Sequence, residues 1–345
     1  AENNNSGNLA VPDGDSISQI KQTQYTLIDN QYGGGFQLQY PFSTFTRAQL
    51  NLSATAIVRD SMVAECYETD IFRDRDNDNI KEWISSVVEL GPENTYRYTK
   101  KTILPEISFV NDNTIYGMHG PVNGRRLHLS LLLCPPVSGI NDFGFVSLSA
   151  DMRKYFHFRK KYGLAIRFVA GLSSSIGQEE NPQQFYLGAS KDELKNLFYI
   201  RYYGTAIEDV YFSRYIAPLR GWDFDERQGG DRVALGNIEI RTPMLRDISF
   251  DWPLEFAVTN IRFALFTDIG GTWRGEQGFK AFEKLPANEA QDKLFSFRYR
   301  DLLQGMGYGF RMRLGYFILR YDIAWKYDLT SFSKPYSYLS IGADF

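Results

Sequence analysis

The stretch with the most distinctive combination of side chains is residues 219–222, which read Leu-Arg-Gly-Trp. They lie in a long, polar, glycine-rich segment that is typical of a loop, between two runs that predict strands. The tetrad combines one cation, one glycine and one large aromatic. The guanidinium of Arg220 can donate two parallel hydrogen bonds to a single carboxylate. We therefore expect a loop tip that is held against another part of the protein.

Residue types that commonly catalyse reactions or bind metals do not form a recognisable arrangement. The histidines are scattered at His119, His128 and His157, with no cysteine or carboxylate at ligand spacing, so we expect no metal site. The serines at 173–175 lack the Gly-x-Ser-x-Gly elbow of a serine hydrolase. The chain has no phosphate-binding loop. We therefore predict that it is not an enzyme and needs no cofactor.

One acidic segment, residues 74–79, is similar to the start of a calcium-binding loop. Asn79, however, stands where such a loop requires glycine, and Ser85 stands at its twelfth position in place of glutamate. We interpret this segment as an acidic, solvated outer loop. Glu179 and Glu180 fit the same interpretation.

Composition limits the class of protein. The chain has 345 residues and a formal net charge of −3, which argues against a nucleic-acid-binding protein. Aromatic residues make up 15% of it, which favours β structure with aromatic belts. No window approaches eighteen consecutive apolar residues, so we expect no transmembrane helix. Two cysteines, Cys66 and Cys134, do not make a disulfide framework, and we expect free thiols.

Strands are predicted wherever apolar and polar residues alternate with period two. In the run at 317–327, for example, Phe317, Leu319 and Tyr321 alternate with Ile318 and Arg320. The eleven predicted strands are 32–40, 48–58, 102–116, 125–134, 144–153, 164–172, 233–242, 261–273, 303–314, 317–327 and 336–345. A twelfth is weaker, at 22–29.

The polar faces of these strands suggest their setting. Charged side chains recur on one side of long strands: Arg153, Arg167, Arg262, Arg311, Arg313, Arg320, Asp322 and Lys326. A soluble sandwich could turn such residues outward, but its strands are usually about five or six residues long. These run about ten, enough to cross a bilayer at a tilt. Tight turns also alternate with long loops, so we predict an all-β, antiparallel transmembrane β-barrel in preference to a sandwich.

This interpretation divides the chain into a linker or loop at 1–20 and a barrel at 21–345. Long loops are expected at 63–101, 173–230 and 274–302. A short helix could occupy 81–90 within the first of these loops.

Four motifs in this order resemble the BamA superfamily of outer-membrane β-barrels. The tetrad at 219–222 is similar to the tip of that family's long sixth loop, and the Phe-Tyr-Leu-Gly-Ala at 185–189 to its opening, with Ala189 in place of glycine. The Phe-Thr-Asp-Ile-Gly at 266–270 resembles the strand motif that holds the loop arginine. The Glu-containing strand at 238–243 and the terminal Leu-Ser-Ile-Gly-Ala-Asp-Phe at 339–345 complete the set.

The resemblance implies a latch inside the barrel, formed by a loop inserted in the lumen. Arg220 would pair with Asp268 and be cushioned by Phe266, while Gly221 and Trp222 complete the tip. Glu239 or Arg241 could join this network. The contact could set the shape of the barrel, or it could simply brace the loop.

The resemblance also implies a sixteen-strand barrel, of which about 11–12 strands are identifiable in this chain. A sheet edge cannot remain open in lipid. Either earlier strands come from residues or a chain not shown, or the barrel is smaller. The terminal motif, with Leu339, Ile341, Gly342 and Phe345, would be both the assembly signal and the seam strand.

For function, the resemblance implies insertion or translocation of proteins at the outer membrane of a Gram-negative-type bacterium. Its partners would be outer-membrane lipid, protein substrates or complex subunits, and upstream strands or domains. An alternative is a non-catalytic anchor, or a subunit that holds a periplasmic or surface domain within a larger complex.

Overall fold

The computed structural model describes residues 6–10, 16–74, 81–117, 120–159, 161–177, 183–189, 212–223, 229–250, 256–275, 277–286, 296–314 and 317–341. Within these ranges every regular element is a strand. None of the described residues forms a helix long and apolar enough to span a membrane.

The seventeen strands are β1 (Ser6–Ala10), β2 (Ser16–Ser43), β3 (Thr46–Asp74), β4 (Lys81–Asp112), β5 (Ile115–Gly117), β6 (Gly120–Cys134), β7 (Phe145–Phe158), β8 (Tyr162–Ser175), β9 (Phe185–Leu187), β10 (Arg214–Ile216), β11 (Arg232–Phe250), β12 (Phe256–Trp273), β13 (Phe282–Lys284), β14 (Phe297–Tyr299), β15 (Leu303–Leu314), β16 (Phe317–Tyr327) and β17 (Tyr336–Ile341).

Thirteen of these strands belong to one sheet. Its order is β1-β2-β3-β4-β6-β7-β8-β11-β12-β15-β16-β17, and β5 pairs with β6 off this path. From β4 to β17 each strand pairs antiparallel with the next. The long segment between β8 and β11 contains the parallel pair β9 and β10, and the segment between β12 and β15 contains the β13–β14 hairpin. Sequence neighbours are therefore sheet neighbours, as in a meander.

Three expectations near the N-terminus differ from the structure. The sequence predicts a linker at 1–20, yet β1 pairs antiparallel with residues 16–20 of β2. It predicts a loop at 63–101, yet β3 extends to Asp74 and β4 begins at Lys81. The short helix expected at 81–90 is wrong, because those residues are strand. Alternation with period two predicts a strand only where apolar and polar residues alternate, and the sequences of these stretches do not alternate regularly although their backbones are strands. Residues 75–79 of the acidic segment, and Ile80 after it, lie outside the described residues.

The chain divides into two compact units, one made of Ala1–Gly34 and Thr55–Lys101 and the other of Gly35–Ala54 and Thr102–Phe345. In the first unit, Arg59 is 2% exposed and makes a bidentate ion pair with Asp29 at 2.6 and 2.7 Å. Arg97 pairs in the same way with Asp60. The candidate site lies entirely in the second unit.

In the second unit the sheet exposes apolar side chains and buries charged ones, which is the reverse of the arrangement in a soluble protein. Large apolar side chains on one face are 38–53% exposed, among them Phe109, Leu129, Leu148, Met152, Ile166, Phe168, Leu172, Ile238, Ile240, Leu265, Leu339 and Ile341. The opposite face buries charged groups such as Glu239, Asp268, Arg311 and Asp322, each at most 1% exposed. Apolar-out and polar-in alternation characterises a transmembrane barrel, because the outer face meets lipid.

Candidate functional site

The loop tip is built from two short segments that support each other. β9 and β10 pair in parallel, and Leu219 N–H donates to the carbonyl of Gly188 at 2.9 Å. Ala189 N–H donates to the carbonyl of Trp222 at 2.8 Å, so both ends of the tetrad are tied to the start of the loop. The motif at 185–189 and the tetrad at 219–222 therefore form one local structure, although about thirty residues separate them in sequence.

Leu219 anchors this structure on the buried face of the sheet. It is fully buried, and it belongs to an apolar cluster with Val169, Phe185, Leu187, Val233, Leu235 and Leu303. These residues come from β8, β9, β11 and β15. Burial of a leucine side chain contributes about 1.5–3 kcal/mol. These apolar contacts therefore hold the loop against several strands independently of its charged contacts.

Arg220 makes the contact that the resemblance implied. Its Nε donates to Asp268 Oδ2 at 2.8 Å and its Nη2 donates to Asp268 Oδ1 at 2.9 Å, so the fork is bidentate. Its own backbone N–H donates to Asp268 Oδ2 at 3.0 Å. Both residues are buried, at 2% and 0% exposure. Asp268 thus holds the side chain and the backbone of the loop tip together.

The pair belongs to a larger buried charge network. Arg220 Nη1 donates to Glu239 Oε2 at 3.1 Å and to Asp322 Oδ2 at 3.2 Å. Two further buried arginines belong to it. Arg241 Nε donates to Glu239 Oε1 at 2.8 Å, and Arg311 Nη1 donates to Asp322 Oδ1 at 2.5 Å. Three buried guanidinium groups thus face three carboxylates, and the less buried Arg320 adds an ion pair to Asp322 at 3.6 Å. The buried charges are therefore paired, as their burial requires.

The electrostatics of the network stabilise the charged form of Arg220. Burial by itself lowers the pKa of an arginine, but the neighbouring Asp268, Asp322 and Glu239 outweigh this and raise the pKa of Arg220 well above its ordinary value. The side chain therefore stays cationic at any accessible pH. Phe266 adds a cation–π contact, with its ring centroid 3.4 Å from the guanidinium carbon of Arg220.

Gly221 is required by its conformation and by its surroundings. Its φ is 102°, in the left-handed region. A Cβ at this position would lie 3.1 Å from the backbone carbonyl of Trp325 on β16. Its N–H donates to the phenol oxygen of Tyr338 on β17 at 2.8 Å. The tip therefore contacts the last strand of the sheet directly.

Trp222 fixes the other end of the tetrad. Its indole N–H donates to the carbonyl of Gln304 on β15 at 3.0 Å. The ammonium of Lys326 lies 4.7 Å from the Trp222 ring and 5.0 Å from the Tyr336 ring. The side chain is thus held by β15 through a hydrogen bond and by β16 through a cation–π contact.

Glycines on β15 make room for the loop and its network. At Gly305 an added Cβ would overlap the carbonyl oxygen of Arg220, and at Gly309 it would overlap the Asp322 carboxylate. Gly307 between them faces Phe266 and the backbone of Ile323. The period-two spacing of these glycines puts all three on the face that receives the loop.

The structure places all six predicted latch residues in one cluster: Arg220, Gly221, Trp222, Phe266, Asp268 and Glu239. Arg241, the alternative to Glu239 in the sequence-based prediction, also joins it. Among the residues of the terminal motif, Leu339 and Ile341 point away from the site and are 41% and 53% exposed. Gly342 and Phe345 lie outside the described residues.

Four further residues of the site were not predicted to belong to the latch. Asp322, Arg311, Tyr338 and Asn237 all bond within the site, and Asn237 Nδ2 donates to Asp268 Oδ1 at 2.8 Å. A sequence signal existed for Arg311 and Asp322, which already stood on the predicted polar face. No signal singled out Tyr338, because a tyrosine in a terminal strand is equally expected in an aromatic belt.

The described residues also bear on metal and thiol chemistry. Within these ranges, no group of three or more His, Cys, Asp or Glu side chains is arranged to hold a metal ion. His119, Glu179 and Glu180 lie outside them. Cys134 is a buried free thiol that donates to the carbonyl oxygen of Phe143, with 3.3 Å between Sγ and that oxygen.

Solved structures that match this chain share little sequence with it. They include BamA from Haemophilus ducreyi lacking POTRA domains 1–3, with a TM-score of 0.44 and 12% identity over 95% of this chain and 62% of that one. CdiB from Escherichia coli gives 0.40 and 11% over 98% and 61%, and CdiB from Acinetobacter baumannii gives 0.42 and 12% over 95% and 50%. The chain thus spans less than two thirds of each. No curated protein sequence matches it.

A family comparison covers nearly the whole chain. The family described as the Omp85 superfamily domain matches residues 4–345. This agrees with the antiparallel sheet, its exposed apolar face and the motifs at 219–222 and 266–270. The described residues form the antiparallel sheet, apolar on its exposed face, that is typical of a transmembrane β-barrel, and the chain belongs to the Omp85 superfamily.

Proposed function

We propose that this protein inserts or translocates other proteins at the outer membrane of a Gram-negative-type bacterium, through a lateral seam at β17. The observation that favours this role is the position of β17. Among the described strands it stands at one end of the sheet order, and it is bonded to the loop tip through Tyr338 and Gly221. A terminal strand offers unpaired backbone groups that an incoming strand can use as a template.

The latch would give the seam its stability. Arg220, Gly221 and Trp222 bind side chains or backbone of β11, β12, β15, β16 and β17. Strands that share one buried partner resist separation, because separating them would expose charges that are now paired. We propose that this network keeps the last strands in register while the edge at β17 exchanges partners.

The strands of the thirteen-stranded sheet would form the barrel in this proposal, with long segments at 173–230 and 274–302. Its surroundings would be outer-membrane lipid. Its partners would be unfolded protein substrates or subunits of a complex, together with upstream strands or domains. The reaction would be physical and non-catalytic, since strand pairing and membrane insertion make no covalent bond.

Crosslinking from the seam strand tests this function. Purified protein in liposomes would carry a photoreactive amino acid at Leu339 or Ile341, and a small unfolded outer-membrane barrel protein would be added. Capture of that protein from either position is expected. The matched control is Leu265 on β12, which is 49% exposed but lies on a strand with two partners. It should capture little.

The control distinguishes insertion from the alternative. Equal capture at Leu265 and Ile341 would mean adhesion to the whole outer face and would overturn the seam. No capture at any position, from protein whose barrel is folded, would favour the anchor, in which the barrel only holds another domain at the membrane.

A further inference from the structure

An apolar groove on the outer face of the sheet contains two cations without carboxylate partners among the described residues. It runs across β4, β6, β7 and β8, has a volume of about 520 Å³, and is lined by Phe109, Leu127, Met152, Ile166 and Phe168 together with basic residues. The apolar residues belong to the exposed face that the fold presents to lipid. Its volume lies in the range typical of small-ligand sites.

The basic residues of the groove fall into two pairs. Arg126 lies 3.7 Å from Asp112, and Arg153 lies 2.7 Å from Asp151, so both of these cations already have carboxylate partners. Arg125 and Lys154 are directly opposite each other on β6 and β7, and both are exposed. In the part of the chain that the structure describes, no carboxylate lies within ion-pair distance of either one.

The position of these two cations makes their environment unusual. Lys154 shares its face with Phe156, whose ring centroid is 5.2 Å from the Lys154 ammonium. Phe156 is followed by Phe158 and, across the tight turn, by Tyr162, which stacks on Phe158 at 5.8 Å. Aromatic side chains of this kind mark the membrane–water interface of a barrel. Lys154, and Arg125 opposite it, therefore lie between these aromatic side chains and the apolar residues of the groove, a position where an unpaired charge would be unfavourable in a bilayer.

We propose that this groove is a binding site for an anionic phospholipid. An acyl chain would lie along Phe109, Met152 and Phe168, and the phosphate would accept hydrogen bonds from the Arg125 guanidinium and the Lys154 ammonium. Arginine matches phosphate geometry with two parallel hydrogen bonds, and lysine adds a compact charge. Both side chains are long enough to reach the headgroup while their stems cover apolar surface. The lipid supplies the counter-ion that the described part of the chain does not.

This site is independent of the proposed seam. It uses the outer face of β4 to β8, whereas the latch uses the inner face from β11 to β17. It requires only that the sheet stand in a bilayer. Loss of lipid selectivity and loss of substrate capture at β17 can therefore be measured separately on the same protein.

The test is lipid selectivity measured by electron paramagnetic resonance with spin-labelled lipids. Purified protein in phosphatidylcholine bilayers would receive spin-labelled phosphatidylglycerol or spin-labelled phosphatidylcholine in parallel. We expect the motionally restricted fraction to be larger for phosphatidylglycerol. Each cation removed should reduce the association constant about fivefold, since one basic residue near an anionic headgroup contributes ~1 kcal/mol. Arg125→Gln/Lys154→Gln should therefore abolish the preference.

Two variants control for charge and folding. Lys284→Gln/Lys334→Gln removes the same formal charge from exposed positions in the connections between β12 and β15 and between β16 and β17, and it should retain the preference. The exchange Arg125→Lys/Lys154→Arg retains both charges and should retain most of it. Equal restriction of the two lipids by the unmodified protein would overturn the proposal. So would an undiminished preference in Arg125→Gln/Lys154→Gln with a folded barrel.

Discussion

The backbone N–H of Gly221 and the phenol oxygen of Tyr338 are 2.8 Å apart, although 117 residues separate them in sequence. This bond joins the tip of the long loop to the last strand of the sheet. Tyr338 is 5% exposed and packs with Ala189, Phe266 and Ala324. The position of the loop and the placement of β17 are thus coupled through one buried donor and one buried acceptor.

Tyr338→Phe should destabilise the barrel by about 1–3 kcal/mol, because the Gly221 N–H would remain buried without an acceptor. The measurement is the temperature at which the folded band is lost in a heat-modifiability gel. Tyr321→Phe is the matched control, because Tyr321 lies on the exposed face of β16 and is 36% exposed. If the two variants behave alike, the bond to Gly221 does not stabilise the barrel.

Arg220→Ala should have the largest effect of any substitution in the loop. It leaves Asp268 buried without its bidentate partner, and breaking one side of a buried ion pair costs about 3–5 kcal/mol. Arg220→Lys should recover only part of this, since an ammonium cannot form the fork that reaches both carboxylate oxygens. Denaturant unfolding in detergent would measure both variants.

A double-mutant cycle then isolates the Arg220–Asp268 contact. Arg220→Met/Asp268→Asn removes both charges together and should be less destabilised than the sum of the single variants. Simple additivity would show that the two residues do not act as a pair.

Gly221→Ala tests two effects together, the strain of a positive φ and the close approach of the added methyl group to β16. Gly139→Ala tests φ alone, because Gly139 has a φ of 81° and an added methyl group there would have nothing within 4 Å. Strain of a left-handed residue costs about 1–2 kcal/mol. We expect Gly221→Ala to destabilise the protein more than Gly139→Ala does, since its methyl group also contacts the backbone of Trp325. Thermal midpoints would give the difference, and equal shifts would rule out a role for the close approach.

Gly305→Ala should displace the loop tip, because its methyl group would overlap the Arg220 carbonyl oxygen. The comparison is Gly236→Ala on β11, where the nearest atom would be 3.7 Å away, an ordinary contact. A protease that cleaves exposed loops should cut residues 212–223 faster in Gly305→Ala and at an unchanged rate in Gly236→Ala. Resistance of both variants would mean that β15 does not seat the loop closely.

Acid should loosen the turn between β16 and β17 at an unusually low pH. Burial disfavours the Asp328 carboxylate, but hydrogen bonds from Thr330 and Ser331 outweigh it and lower the pKa of Asp328 below its ordinary value. Because the pKa of Asp328 is lower in the folded state, its ionised carboxylate stabilises the turn fully at pH values above the ordinary pKa. This stabilisation is lost as the pH falls through the lowered pKa.

Hydrogen exchange at the Thr330 and Ser331 amides, corrected for intrinsic rates, would follow this transition in the turn. Asp328→Asn should remove the pH dependence. Persistence of the same dependence in Asp328→Asn would assign it to another group.

Much of the site could be inferred from sequence because it is made of local patterns. Alternation along 261–273 puts Phe266 and Asp268 on one face, and the structure buries that face. The tetrad at 219–222 and the motif at 266–270 are contiguous, so a family resemblance detects them. The same reasoning failed at 1–20 and 63–101, because a strand in which apolar and polar residues do not alternate leaves no period-two signal.

Patterns in the sequence are enough to assign the faces of the strands and the residues of the loop tip. Which side chains meet at the tip depends on the folded sheet. Asp322 and Tyr338 reach the tip from 102 and 117 residues away. Alternation assigns a residue to a face but says nothing of its height along the strand. That height depends on the register of every strand pair from β11 to β17, and register is set by the packed sheet as a whole.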